Sequence, residues 1–396
     1  MQITTPLQTG AITLRGCTPQ PCCLLCRTNH TEASAATSIF KIASLENTGI
    51  EPIPDKQLAE RSCVKILVNA SGAKYGGART IVETYVAWIG DHDRSNEYIV
   101  IAGFENKCLV RSNIRWIKKA TSGFYSFLYT TILIFFDMRR FAPDLIFSFN
   151  NVNYIFPYIP RLTYFHQLKL FEKKFDKTYF FRLAIKYFLK NTKFIVQSEH
   201  IKNLFHSEFG PLTNVCARWP GFIVPRPKAT NILKEILKKH AGKKLLVCPY
   251  SSVESKHKNF NFILSRQNTL KEKNFVVLVT APQPDSPETS VVDFAGMLPR
   301  DVLYALYMQA DAMLFPSTHE TLGLPIFEFA ETGKPVLVYD RAYIRPYYEK
   351  FKRPRNIILF TDETFSSSLD KISTDYCVPP CKRYRQGEWE NLFDVN

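Results

Sequence analysis

Two consecutive α/β domains, each a doubly wound parallel sheet, are what this 396-residue chain is expected to form, and three observations point there. From residue 64 onward, short runs of Val, Ile, Leu and Phe alternate with helical stretches. That is the pattern of strands buried on both faces and joined by crossover helices. A Pro/Gly-rich break, Pro220-Gly221 followed by Val224-Pro-Arg-Pro227, divides the alternation into two series. The length suffices for two domains of ordinary size, each with a core of its own.

The first series has strand candidates at Ile66-Leu-Val-Asn69, Tyr98–Ala102, Leu145–Phe149, Leu162–His166 and Lys193–Gln197. The second has them at Leu245–Cys248, Phe275–Val279, Val292–Ala295, Ala312–Phe315 and Pro335–Val338. Residues 63–225 therefore form one expected domain and residues 226–375 another, with a tail at 376–396 that carries two prolines and mixed charge. Residues 1–62 are rich in Thr, Ser, Pro and Ala without a sustained period, and are expected to be a disordered extension.

Hydrophobic content of 45% with 22% charged residues is that of a soluble globular chain. The longest uncharged apolar run, Ala120–Phe136, is interrupted by Thr121, Ser122, Thr130 and Thr131, so it reads as a buried or interfacial helix and not as a membrane span. No basic start, apolar centre and small-residue cleavage site stand together at the N-terminus, so export is not expected. The net charge of +15 is uneven: residues 64–230 hold 24 Lys/Arg against 11 Asp/Glu, residues 231–396 only 22 against 20. A field of that kind attracts anions such as phospholipid headgroups, nucleic acid or a phosphorylated acceptor. Between Arg161 and Lys193, nine basic residues face two acidic ones. Arg182, Lys186 and Lys190 recur there every four residues among Tyr179, Phe180, Leu183, Tyr187 and Phe188. A helix with that cationic stripe suits an anionic bilayer surface; a core-facing aromatic stripe with solvated lysines is the alternative. The ten cysteines are mostly scattered in apolar runs and indicate a reduced compartment. The cluster Cys17, Cys22, Cys23 and Cys26 lacks the second well-spaced pair of a zinc site.

The densest chemical signal is Phe315-Pro-Ser-Thr-His-Glu320-Thr-Leu-Gly-Leu-Pro-Ile-Phe-Glu328. Strand-length Asp311–Phe315 precedes it, a helix stopped by Gly333 contains its end, and a further strand follows. In such a unit, backbone N–H groups at the helix start face whatever lies beyond the strand ends, which suits a phosphate. Glu328, one turn into the helix, would then accept hydrogen bonds from a sugar or ribose hydroxyl. Three other places can bear on the same ligand. Gly76 and Gly77 follow the first strand and open a helix, where glycine lets the backbone approach closely. His166 ends the strand candidate at 162–166. Lys258, in Ser255-Lys-His-Lys-Asn259, follows the first strand of the second series, and an ammonium there suits a diphosphate. Asp340-Arg341-Ala-Tyr343-Ile-Arg345 lies past the last strand and takes no assigned role.

The Glu-x7-Glu spacing, with Phe-Pro-Ser before it and Gly-Leu-Pro inside it, resembles the signature of glycosyltransferase family 4, over roughly residues 64–375. The resemblance implies the GT-B fold, in which two Rossmann-like domains face each other across a cleft. It implies a retaining transferase that uses a nucleotide-sugar donor. Carried over by position, Glu328 would hold the ribose, Glu320 would lie by the donor sugar, and the amides of Gly323 and Leu324 with Lys258 would hold the diphosphate. Gly76, Gly77 and His166 would lie near the donor phosphates, the acceptor and the reaction centre. Many relatives carry an arginine a few residues before the lysine; this chain has serines and Glu254 there. No essential metal or other cofactor is expected, since this fold stabilises the leaving diphosphate by amides and lysine. The expected acceptor is a glycan or lipid-linked sugar of surface polysaccharide or lipopolysaccharide synthesis, at the cytoplasmic face of a membrane touched through residues 161–193. Two other readings stay open: a nucleotide-sugar epimerase on the same fold, and a non-enzymatic nucleic-acid-binding surface on the basic half. The basic residues belong to no recognised nucleic-acid motif, so nucleic acid is not an expected partner.

Overall fold

Strands of the first half pair only with one another, and so do those of the second half, in a computed structural model of the chain. It describes residues 63–393 except 107–110, 173–177, 190, 212, 285–288 and 373–377. The expected extension at 1–62 and the cysteine cluster within it lie outside the described residues.

The first sheet contains β1 (Lys65–Ala70), β2 (Glu97–Ala102), β3 (Ile114–Lys118), β4 (Leu145–Ser148), β5 (Arg161–Tyr164), β6 (Lys193–Val196) and β7 (Val215–Ala217), in the order β3-β2-β1-β4-β5-β6-β7. The second contains β8 (Lys244–Cys248), β9 (Phe275–Val279), β10 (Val292–Phe294), β11 (Ala312–Phe315), β12 (Val336–Tyr339) and β13 (Ile357–Phe360), in the order β10-β9-β8-β11-β12-β13. Every pairing within the sheets is parallel. The apolar runs explain why: Ile66–Ala70 and Phe275–Val279 are buried throughout, as strands covered on both faces must be. Each sheet reverses its winding once, between β1 and β4 in the first and between β8 and β11 in the second. At such a switch point the loops diverge and open a crevice beyond the carboxyl ends of the strands.

Three strands escape the sequence reading. β3 carries Arg115 and Lys118 on an edge of the sheet, β7 has three residues, and β13 follows the basic stretch Lys350–Arg355. The apolar run at 120–136 is helical from Gly123, with a π-helical turn at Tyr129–Leu133, and continues to Phe141. The basic stretch 161–193, with its expected cationic helix around Arg182, Lys186 and Lys190, takes a different form. Arg161 is buried in β5, its Nη1 donating to the carbonyls of Tyr154 and Ile155 at 2.8 and 3.1 Å. The helix Tyr179–Leu183 passes into a π-helical turn at Ala184–Phe188, which breaks the four-residue period between Arg182 and Lys186. Lys190 lies outside the described residues.

The tail packs back on the first half. Trp389 lies against the rings of Tyr85 and Tyr164 at 5.2 and 5.7 Å, and Lys193 Nζ donates to the Leu392 carbonyl at 3.0 Å. On its way the tail crosses the break between the two halves so closely that Gly221 has no room for a side chain. A Cβ there would stand 2.3 Å from the Arg385 carbonyl oxygen, on a backbone with φ of +65°.

Candidate functional site

The crevice between β8 and β11 is built by two loops that hold each other. The β8 loop ends in the turn Lys256–Lys258, and Asn259, at φ 56°, swings the chain into the next helix. The β11 loop runs from Pro316 to Gly323 and enters helix Leu324–Ala330. Gly323 stands at φ +69°, the left-handed region, where a Cβ would press to 2.9 Å on Ile326; this is why a glycine begins the turn between the two glutamates. Thr318 donates its backbone N–H and its hydroxyl to the His257 carbonyl at 2.8 and 3.2 Å, and Asn259 Nδ2 donates to the Pro316 carbonyl at 3.2 Å.

Across this seam Lys258 Nζ meets Glu320 Oε1 at 2.6 Å, with both side chains more than four-fifths buried. The ammonium also lies 5.4 and 5.7 Å from the ring centres of Tyr250 and Phe315. Two motifs that the sequence presents separately thus form one pair. Tyr343, which sequence reasoning left without a role, is buried nearby and its hydroxyl has no hydrogen-bond partner. Burial first, and the Glu320 charge second, hold that hydroxyl well above the ordinary tyrosine range, so it stays a donor.

Glu328 is buried and not a solvated helix position. Its Oε1 accepts from Arg300 Nη2 at 2.7 Å, and the same nitrogen donates to the Ile223 carbonyl at 2.8 Å. Arg300 opens helix Arg300–Gln309. Its Nη1 lies 3.8 Å from Glu83 Oε2, on helix Gly76–His92 of the first half, and Glu83 in turn accepts from Arg79 at 2.8 Å. Sequence reasoning missed Arg300. The one available signal is a cation in the first turn of a helix, where the macrodipole opposes it unless an anion stands opposite.

The crevice between β1 and β4 is held by a neutral side-chain network. Asn150 Nδ2 donates to Asn69 Oδ1, Ser71 Oγ and Thr130 Oγ1 at 3.2, 3.0 and 2.9 Å, while its Oδ1 accepts from the Gly72 N–H at 3.1 Å. Gly76 and Gly77 follow, at the start of helix Gly76–His92, where an added Cβ would meet open space at either. His166 lies just past β5; its N–H donates to Asn151 Oδ1 at 2.7 Å, and its Nδ1 is buried without a partner. Burial pushes its pKa down to about 4, so the ring is neutral at physiological pH. Gly76, Gly77 and His166 thus belong to the first half, and the charged pairs to the second, joined through Arg300 and Glu83.

No group of three or more His, Cys, Asp or Glu poised for a metal occurs among the described residues. An Asp-x-Asp spacing does exist, at Asp91-His92-Asp93, but both carboxylates are engaged at the end of the first helix. Asp91 pairs with Arg111 at 3.1 Å, and Asp93 accepts from Asn96 and Tyr98.

Residues 289–387, which include Arg300, Glu320 and Glu328, match the family Glycosyl transferases group 1. None of the curated protein sequences compared with the chain matches it. Among solved structures it is similar to Anabaena Alr3699/HepE, in complex with UDP and glucose, at 16% identity and a TM-score of 0.56, over 79% of this chain and 90% of that one. It is similar to WaaG, a glycosyltransferase involved in lipopolysaccharide biosynthesis, at 15% and 0.56, over 78% and 89%. Sucrose-phosphate synthase from Thermosynechococcus elongatus matches at 13% and 0.56, over 84% and 93%. The fold of the described residues is the GT-B glycosyltransferase fold.

Proposed function

We propose that the chain is a glycosyltransferase that moves a sugar from a nucleotide-sugar donor to a glycan or lipid-linked acceptor, with retention of anomeric configuration. One observation carries the reading. At the switch point of the second sheet, two carboxylates of a segment that matches Glycosyl transferases group 1 are each held by a cation: Glu320 by Lys258, and Glu328 by Arg300. Structures of similar fold bind UDP or UDP-glucose, which supports a nucleoside diphosphate at this crevice. The reaction breaks the bond from the anomeric carbon to the diphosphate and forms one to an acceptor hydroxyl, releasing a nucleoside diphosphate and a proton. Negative charge grows on the diphosphate as its bond breaks, and in this reading Lys258 with the amides of Gly323 and Leu324 takes it up. Glu328 accepts from the ribose, and Glu320 and the Tyr343 hydroxyl orient the sugar. Neutral His166 on the first-domain side meets sugar hydroxyls as a hydrogen-bonding group. No bound metal is needed in this scheme.

The test is calorimetric titration of the protein with UDP, GDP, ADP and CMP, alongside Glu328→Ala. One nucleotide should bind, and the substitution should weaken it about 10- to 100-fold, the worth of a charge-assisted hydrogen bond with its buried partner. Absence of binding to the folded wild type sinks the reading and reopens the basic surface as a nucleic-acid site. Conversion of the donor alone, without an acceptor, would show an epimerase.

Acceptor and location follow from the first half. Phe124, Tyr125, Phe180 and Tyr187 are exposed there, with the rings of Phe124 and Phe180 5.8 Å apart, in the half that carries the basic excess. No helix among the described residues is long and apolar enough to cross a membrane. An aromatic cluster in a cationic field fits peripheral contact with an anionic bilayer at the cytoplasmic face, where lipid-linked or surface-polysaccharide acceptors are extended. The wild type should co-sediment with vesicles containing phosphatidylglycerol and not with pure phosphatidylcholine, and Phe124→Ser/Tyr125→Ser should lose most of that binding. Equal recovery of wild type and variant would discard the membrane surface.

A further inference from the structure

We propose that Arg300 is a positioning residue that ties the occupancy of Glu328 to the first domain through Glu83; this rests on Glu328 receiving the ribose of a nucleotide. Three separate parts of the chain converge on this one guanidinium. Its Nη2 spans Glu328 Oε1 and the Ile223 carbonyl at 2.7 and 2.8 Å, and its Nη1 faces Glu83 Oε2 at 3.8 Å. Ile223 belongs to the Pro/Gly break between the two halves, and Glu83 to the helix that Gly76 and Gly77 open.

A guanidinium suits this place because its planar fork can serve several acceptors at once, which an ammonium on a flexible stem does less well. It fixes one oxygen of Glu328 and leaves the other to accept a ribose hydroxyl, with the carboxylate held in one orientation. Opening its helix, Arg300 also stands at the end where the backbone dipole disfavours a cation, so its place is maintained by the carboxylates and not by the helix. The Glu83 contact is the longest of the three and crosses between the domains. Movement of one domain against the other changes it first, and changes how firmly Arg300 holds Glu328. A nucleotide on Glu328 and the approach of the first domain therefore favour each other.

The experiment is a double-mutant cycle on affinity for whichever of UDP, GDP, ADP and CMP the wild type binds, using the full chain with Arg300→Ala, Glu83→Gln and the pair. Arg300→Ala should weaken binding about tenfold, Glu83→Gln about threefold, and the pair no more than Arg300→Ala alone, because residues acting through one contact are not additive. Arg300→Lys, which keeps the charge and is the gentler change to folding, should recover part of the affinity but none of the dependence on Glu83. Additive effects, or Arg300→Ala and Arg300→Lys binding like the wild type, would overturn the coupling alone. A wild type that binds none of the four nucleotides would overturn the nucleotide reading and this proposal together.

Discussion

The two sheets share a winding and differ in what stands at their switch points. Beyond β8 and β11 the crevice is lined by opposite charges in close pairs, Lys258 with Glu320 and Arg300 with Glu328. Beyond β1 and β4 the same topological place holds a network of amides and hydroxyls: Asn69, Ser71, Thr130 and Asn150, closed on one another. Charges that keep some exposure, 10–30% for these four side chains, can exchange partners when an anion arrives, because water and the ligand replace what is lost. A buried neutral network cannot do so cheaply, since each unmatched buried donor or acceptor costs about 1–3 kcal/mol. The charged crevice is thus suited to binding and the neutral one to shaping the fold, although the topology alone would allow a ligand at either.

The strongest way to break this comparison is Lys258→Met, which keeps the aliphatic stem and removes the charge. Loss of one group aimed at developing charge lowers kcat by about 10²–10³-fold, so sugar transfer by the folded protein should fall by that order, and the urea midpoint should drop as well because Glu320, more than four-fifths buried, loses its cation. If transfer survives and stability collapses, Lys258 is a structural partner of Glu320 and the contrast with the first sheet disappears.

How much of this could be read from the sequence also differs between the two crevices. The strands with unbroken apolar runs, β1, β9, β11 and β12, announce themselves, and so does the glycine turn between Glu320 and Glu328. Strands whose charge pattern or length departs from that rule, β3 and β7, do not, and β13, apolar throughout, is lost behind the basic stretch that precedes it. The π-helical turns at Tyr129–Leu133 and Ala184–Phe188 defeat a reading based on 3.6-residue periodicity, which is why the supposed cationic stripe loses its four-residue period between Arg182 and Lys186. Glu320, Glu328 and Lys258 could be named individually as candidates because each lies in a loop or helix that follows a strand of the second sheet. Their pairing was not, because Lys258 and Glu320 are brought together only by parallel strands β8 and β11 lying side by side. Arg300 was missed for the same reason: its partners Glu83, Ile223 and Glu328 lie far off in sequence, and a cation in the first turn of a helix is the one local mark it carries. The neutral network at Asn150 was equally hidden, its members being an asparagine, a serine and a threonine of ordinary local sequence.

That network gives the finer test. Asn150→Leu keeps the approximate shape and removes the amide nitrogen's two N–H groups, shared among three acceptors, and one acceptance, leaving buried Asn69 Oδ1 with one donor fewer and the N–H of exposed Gly72 to water. Some of the loss is offset by the apolar side chain and by rearrangement of the Ser71 and Thr130 hydroxyls, which can rotate to each other's lone pairs. A net destabilisation of about 2–3 kcal/mol is expected, read as a fall in the urea midpoint at constant slope. Nucleotide affinity, measured well below that midpoint, should stay within about twofold of the wild type, because the charged crevice lies on the other sheet and distant sites add independently. A variant that keeps its stability but loses the nucleotide would place Asn150 in the binding surface. The neutral crevice would then be the second half of the donor site and not its scaffold.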